Sequence, residues 1–249
     1  MSENRTALVT GASTGIGRAT ALALGRAGFD LAVADLDTAW LGDLANEPKL
    51  RGRKIVPLAL ELRSQASILQ AIEQAAAGFG RIDVLVNNAG RPLQKAAVEV
   101  DWAEWDDVID INLKGSFFLA TAFARHCIER RQGGAVVSIA STHGLTGLAG
   151  RSVYGISKGG IIQMTRMLAI EWAPHGIRVN AVAPATVLTP SRERILADPA
   201  ARQRMLERIP LGRFPTTDEV AEAVCYLASD SARSITGQTL PLDGGLTAA

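Results

Sequence analysis

The sequence predicts a doubly wound parallel α/β sheet, and three observations predict it. Short aliphatic runs alternate with longer helical patterns along the chain. Most of those runs lack polar alternation, as strands covered on both faces do. A glycine-rich turn joins the first run to the first helical stripe. At 249 residues the chain is long enough to bury one large core without disulfide staples. Apolar residues make up 47% and charged residues 20%, which argues against disorder. A net charge of +1 leaves no electrostatic footprint for nucleic acid or an acidic membrane surface, and no window reaches the ~20 apolar residues of a membrane span. The start, MSENRT, lacks the basic stretch and apolar run of a signal peptide, so a cytoplasmic protein is expected. Cys127 and Cys225 sit in apolar, helix-like stretches and read as core residues; no disulfide framework and no metal site are expected.

Taken in order, the strand candidates are residues 7–10, 31–34, 54–58, 82–86, 135–139, 178–182 and 238–242. Between them lie stripes at three- and four-residue spacing, such as Ile68, Leu69, Ile72, Ala75, Ala76 and Phe79, and Ile161, Met164, Thr165, Leu168, Ala169 and Trp172. Right-handed crossovers place the ligand crevice at the carboxyl ends of the strands. No linker or repeat interrupts residues 1–249, which read as a single domain. The exception to the alternation is residues 186–215, Arg-rich and punctuated by Pro190, Pro199, Pro210 and Pro215, expected to be an irregular, lid-like insertion.

The segment TGASTGIG over residues 10–17 follows the first strand and opens the first helix. Gly11, Gly15 and Gly17 allow a tight turn and close approach to a phosphate, and the helix start offers free N–H groups and a positive dipole end. Asp35 ends the second strand 18 residues after Gly17. An acid there accepts hydrogen bonds from ribose hydroxyls and repels a 2′-phosphate; alternatively it caps the following helical segment. Leu36 after it and Thr14 in the turn supply no base, so NAD rather than NADP is expected.

Tyr154 and Lys158 share a face of a predicted helix, with Ser141 thirteen residues before Tyr154 at a strand end. A free Tyr titrates near ~10, and a neighbouring ammonium favours the phenolate. Ser141 can hydrogen-bond a substrate oxygen as charge develops on it. Asn112 interrupts the stripe of Trp105, Val108, Ile109 and Ser116, so its carboxamide is either a structural hub or part of a site.

With these residues the chain resembles the short-chain dehydrogenase/reductase family over essentially its whole length. TGASTGIG is similar to that family's cofactor turn, NNAG at residues 87–90 to its motif after the fourth strand, YGISK at 154–158 to its active-site motif, and ITGQ at 235–238 with DGG at 243–245 to its C-terminal signature. The resemblance implies a Rossmann fold and a nicotinamide cofactor. It implies contacts from Gly11, Ser13, Gly15, Ile16, Gly17, Asp35, Glu61, Leu62, Asn87, Tyr154, Lys158, Val187 and Thr189. Tyr154 would be the acid/base, Lys158 would lower its pKa and bind the nicotinamide ribose, Ser141 would polarise the substrate oxygen, and Asn112 would hold a water in a proton relay. A homotetramer packed through the helices carrying Asn112 and Tyr154 is implied as well. Two departures stand out: Ala185 follows Pro184 where the family has glycine, which stiffens or re-angles the lid's start, and Glu61-Leu62 replaces Asp-Val, so the carboxylate reaches one methylene further.

For the substrate, His143 either contacts it or packs, and Arg151 points at the pocket or at a neighbouring subunit. The lid's Arg192, Arg194, Arg202, Arg204 and Arg208 alternate with Glu193, Asp198 and Glu207, the pattern of a solvated face. The expected activity is NAD-dependent hydride transfer to or from a small-molecule secondary alcohol or ketone such as a sugar, polyol or sugar acid. The alternatives are 3-oxoacyl-thioester reduction, against whose usual NADPH-dependent form Asp35 counts, and a dinucleotide-binding sensor or scaffold. A methyltransferase would have no use for the Tyr154–Lys158 pair.

Overall fold

Each run expected to be a strand is one, in a computed structural model that describes residues 5–189, 192 and 197–248. The strands are β1 Thr6–Thr10, β2 Asp30–Asp35, β3 Ile55–Ala59, β4 Val84–Asn87, β5 Gly134–Ile139, β6 Ile177–Pro184 and β7 Thr239–Leu242. They form one parallel sheet in the order β3-β2-β1-β4-β5-β6-β7. The chain winds outward from β1 to β3, then returns to place β4 on the other side of β1, with Val9 opposite Val33 on one side and Val86 on the other. This reversal at β1/β4 leaves a crevice beyond the strands' carboxyl ends.

The helices are α1 Gly15–Arg26, α2 Gly42–Ala45, α3 Gln65–Phe79, α4 Trp102–Ile109, α5 Ser116–Glu129, α6 Ser152–Trp172, α7 Pro199–Leu206 and α8 Thr217–Ala228. Because side chains alternate across a strand, Leu8 and Val9 enter different cores. Leu8 joins Ile72 of α3, Phe123 of α5 and Leu168 of α6; Val9 joins Leu24 of α1 and Val220 and Val224 of α8. Truncating the fully buried Phe123 to Ala would cost about 3–5 kcal/mol.

Local signals set the helix ends. Ser64 caps α3 by accepting from the Ser67 amide, and α3 stops at Gly80, whose φ of +78° suits glycine. Reciprocal capping boxes start α4 (Asp101 with Glu104) and α8 (Thr216 with Glu219). At α1, Thr14 makes no side-chain cap, so the first amides of that helix point into the crevice without a side-chain partner.

The insertion is less irregular than the proline punctuation suggests. Asp198 caps α7 and Pro199 occupies its first turn, where a missing N–H costs nothing. Beyond it Ile209 and Phe214 bury a small apolar cluster with Leu206 and Leu246. Pro190, Glu193 and Arg194 lie outside the described residues. Ala185 needs no positive φ: Arg131 alone among the described non-glycine residues has one, and the Ala185 amide donates to Leu242 O at 3.1 Å, extending the pairing with β7.

Candidate active site

At the β1 end of the crevice, Gly11 and Gly15 sit at φ +62° and +56°, and a Cβ on Gly17 would lie 2.0 Å from the Gly11 carbonyl oxygen. All three therefore have to be glycine for the turn to close. Asn88 pins the turn, its Nδ2 donating to Thr10 O at 2.8 Å and Gly11 O at 3.1 Å. The Asn88 and Ala89 amides both donate to Thr10 Oγ1 at 3.0 Å. Asn87, expected to contact the cofactor, is buried away from the cleft, and its Nδ2 donates to Ser116 O at 3.2 Å, tying β4 to α5. The two asparagines are neighbours on a strand end, and the pleat points only the second at the turn.

Asp35 is fixed from both sides: Ser13 N donates to Oδ2 at 3.1 Å and Leu36 N to Oδ1 at 2.9 Å. The helical turn that follows is capped by Asp37 rather than Asp35. Leu36 and Trp40, both more than half exposed, form the same wall. Glu61 faces the crevice with its carboxylate paired to Arg63 at 2.8 Å, which holds it below the usual carboxylate range. Leu62 is buried beside it. This part of the crevice has a volume of about 750 Å³. Its glycine turn, uncapped helix start and oriented Asp35 match the diphosphate and ribose of a dinucleotide. Thr189, at the root of the insertion, approaches within 3.2 Å of where a Gly15 Cβ would stand.

The crevice continues into a cavity of about 240 Å³ that shares Ile16, Asn88 and Thr189 with the first part and is walled further by Ser141, His143, Tyr154, Lys158, Val187 and Arg192. Ser141 lies just past β5, and a short turn, Thr142–Gly144, packs on α6 so closely that a Cβ on Gly144 would meet the Lys158 backbone at 2.7 Å. That contact sets the His143 ring edge-on to Tyr154 with centroids 6.0 Å apart. The Ser141 hydroxyl hydrogen-bonds Tyr154 and accepts the His143 amide at 3.2 Å. Lys158 Nζ donates to Ile139 O at 2.6 Å and stands 5.8 Å from the Tyr154 ring centroid.

Burial dominates the acid–base behaviour. It raises Tyr154 above the ordinary tyrosine value, against a downward pull from the Ser141 hydrogen bond, Arg192 and Arg151. It lowers Lys158 to about 8 and pushes His143 down, with Arg151, Arg192 and Arg208 adding to the effect.

Asn112 sits in a π-helical stretch, Asp110–Gly115, that joins α4 to α5. Its Oδ1 accepts from Arg91 N at 2.6 Å, and its Nδ2 donates to Arg91 O at 3.0 Å and Ser157 Oγ at 3.1 Å. The carboxamide is a hub holding the loop after β4 onto α6, and its side-chain groups are committed to those bonds. Arg151 does not wall the cavity; its guanidinium donates to Leu93 O at 3.2 Å and Gln94 Oε1 at 2.6 Å, bracing the same loop. Arg192 behaves otherwise than its solvated pattern suggests and faces the cavity of Ser141 and Tyr154, whereas Arg202 stacks on Phe214 and Arg204 is exposed. Asn88, Trp40, Arg63 and Arg91 are among the crevice residues to which the sequence pattern gives no role, and Arg192 is one it places on a solvated face.

A family model described as enoyl-(acyl carrier protein) reductase matches residues 11–247. The chain is 39% identical to the 3-oxoacyl-acyl-carrier-protein reductase of Thermotoga maritima over 98% of both proteins. It is 35% identical to the 2-dehydro-3-deoxy-D-gluconate 5-dehydrogenase of Escherichia coli, over 98% of this chain and 95% of the other. A solved structure from Agrobacterium tumefaciens with bound NADP is 37% identical, with a TM-score of 0.89 over 100% of this chain and 98% of that one.

Proposed function

The chain belongs to the short-chain dehydrogenase/reductase family, and from that premise we propose that it is an NAD-dependent oxidoreductase acting on a secondary alcohol or ketone of a sugar, polyol or sugar acid. The observation that carries this reading is the convergence of Ser141, Tyr154 and Lys158 on one small cavity opening onto a dinucleotide-shaped crevice. When bound, the nicotinamide would supply the two-electron acceptor or donor. The substrate hydroxyl proton passes to the Tyr154 phenolate oxygen during oxidation and returns from the phenol during reduction. Ser141 donates a hydrogen bond to the same substrate oxygen, and Lys158, in its ammonium form, stabilises the phenolate. Oxidation therefore gains rate as pH rises, because it needs the deprotonated Tyr154, and reduction gains rate as pH falls.

Asp35 supports NAD: its carboxylate, already oriented by two amides, accepts ribose hydroxyls and repels a 2′-phosphate. Val187 and Thr189 line the catalytic cavity, where a nicotinamide amide would reach them, and residues 186–215 act as a lid within a single domain. Exposed Phe117 and Phe118 on α5 with Ile156, Met167 and Ile170 on α6 supply apolar faces for a homotetramer. No helix among the described residues is long and apolar enough to cross a membrane, and we take the protein to work in the cytoplasm.

The Thermotoga maritima relative favours a second reading, 3-oxoacyl-thioester reduction. The catalytic cavity is walled by the polar groups Ser141, His143, Tyr154, Lys158 and Arg192, which suits a short polar substrate better than an acyl chain. The deciding experiment follows nicotinamide absorbance with NAD and NADP over polyols, aldonic acids, cyclic secondary alcohols and 3-oxoacyl thioesters, with Tyr154→Phe as the blank. NAD-linked turnover of one hydroxyl class, absent from the blank, is the expected result. Activity on thioesters alone would establish the second reading, and tight NADH binding without turnover of any compound would favour a sensor.

A further inference from the structure

The charge balance of the catalytic cavity is one-sided. Among its described walls there is no Asp or Glu, while Lys158, Arg91 and Arg192 are cations. Two of these are engaged: Lys158 donates to Ile139 O, and Arg91 pairs with Asp107 at 2.7 Å. Arg192 has no side-chain hydrogen bond or ion pair among the described residues, although it faces the same cavity as the Tyr154 hydroxyl. Its backbone is anchored at the lid root, its amide donating to Thr189 O at 2.8 Å. Nearby, Arg151 is buried on two neutral acceptors, Leu93 O and Gln94 Oε1, so its charge adds to the field rather than being neutralised.

A guanidinium held over a small cavity with no carboxylate partner among the described residues is poorly placed for stability and well placed for an anion. Its planar fork matches a carboxylate, and the surrounding cations raise the local concentration of anionic ligands. We propose that Arg192 is the substrate-carboxylate recognition residue of this site, so that the substrate is a small hydroxy or oxo acid whose carbinol or carbonyl carbon faces Tyr154 while its carboxylate pairs with the lid. This rests on the oxidoreductase reading and narrows its substrate class. Arg192 sets specificity, and the proton chemistry stays with Tyr154.

The test uses pairs that differ in charge alone: 3-hydroxybutyrate with 3-hydroxybutyramide, and D-gluconate with D-gluconamide. Rates are measured with NAD, and affinities for the enzyme saturated with NADH are measured by calorimetry. A charge-assisted pair predicts that acid is preferred over amide by about tenfold or more in kcat/KM or affinity. Arg192→Gln removes that preference, and Arg192→Glu reverses it. The acid-to-amide ratio cancels any general loss in the variants, and Arg204→Gln on the exposed face of α7 keeps the parent ratio. Equal binding of acid and amide by the parent, binding of neither, or a preference that survives Arg192→Gln overturns the proposal. So does a raised Kd for NADH in Arg192→Gln with the ratio unchanged, which would assign Arg192 to the dinucleotide phosphates. Absence of turnover in every arm, with calorimetric discrimination intact, would instead defeat the oxidoreductase reading and leave the carboxylate site standing.

Discussion

The two ends of the crevice follow opposite electrostatic plans. At the glycine-turn end the polar side chains are held before any ligand arrives: Asp35 by the Ser13 and Leu36 amides, Asn88 by the Thr10 and Gly11 carbonyls, Glu61 by Arg63. At the catalytic end, Lys158 has one carbonyl for a partner, Tyr154 shares a hydrogen bond with Ser141, and Arg192 faces the cavity with no counter-ion among the described residues. Only there does burial move the acid–base groups of the crevice away from their ordinary values without an ion pair to explain it. Recognition of an invariant ligand calls for fixed geometry, whereas proton transfer calls for groups whose charge can change at working pH.

The largest expected effect separates the two ends directly. Tyr154→Phe removes the exchangeable proton and leaves the glycine-turn end untouched. Turnover should fall by about 10³-fold or more, while NADH affinity, followed by fluorescence titration, stays within about twofold of the parent. Comparable losses in both would mean that the ends are not separable.

Asp35→Ala acts at the other end. Loss of a charged acceptor for the ribose hydroxyls should move the ratio of kcat/KM for NAD over NADP by about 10- to 100-fold toward NADP. An unchanged ratio would mean that the ribose is read by other groups.

Lys158 tests whether the catalytic end costs stability. Its ordinary value is 10.5 and its folded value about 8, so the unfolded chain binds more protons between those values and stability rises with pH across that window. Below pH 8 the full penalty applies, about 3 kcal/mol for such a shift, offset by the bond to Ile139 O. Lys158→Met should therefore be inactive yet more stable at pH 7, by about 1–2 kcal/mol in urea unfolding. Its advantage should shrink toward pH 10.5, and an advantage independent of pH would place the ammonium in a better-solvated site.

Much of this contrast was legible in the sequence, for reasons that differ by region. The seven strands and the Ser141, Tyr154 and Lys158 set announce themselves because buried parallel strands are continuous aliphatic runs and because the YGISK spacing puts two groups on one helix face. The assignment of roles to neighbours was harder. Nothing in NNAG says which asparagine the pleat turns inward, and a π-helical stretch at Asp110–Gly115 has no periodic signature within its six residues. The lid's charge alternation hid both α7 and the inward turn of Arg192, since a solvated face and a face split between solvent and cavity read alike. The bonds of Arg151 are not legible in the sequence, because its partners, Leu93 and Gln94, lie nearly sixty residues away in the chain and meet it through the fold alone.

Trp40 gives the smallest expected effect and refines the account of the glycine-turn end. It lies five residues beyond Asp35, on the crevice wall, with more than half of its surface exposed. An exposed indole at that place has little packing reason to be there and offers a flat face beside the position Asp35 assigns to the adenosine ribose. Stacking on adenine at a solvated edge contributes about 0.5–1.5 kcal/mol, so Trp40→Ala should weaken NADH binding about two- to tenfold and leave the NAD/NADP ratio alone. The parent's tryptophan emission should fall on NADH binding by a component that the variant lacks, because Trp102 and Trp105 stand on α4 and Trp172 is buried at the end of α6. Full quenching in Trp40→Ala with unchanged affinity would put the indole on the solvent side of the wall, and adenine recognition would then fall to Leu62 and the Glu61–Arg63 pair.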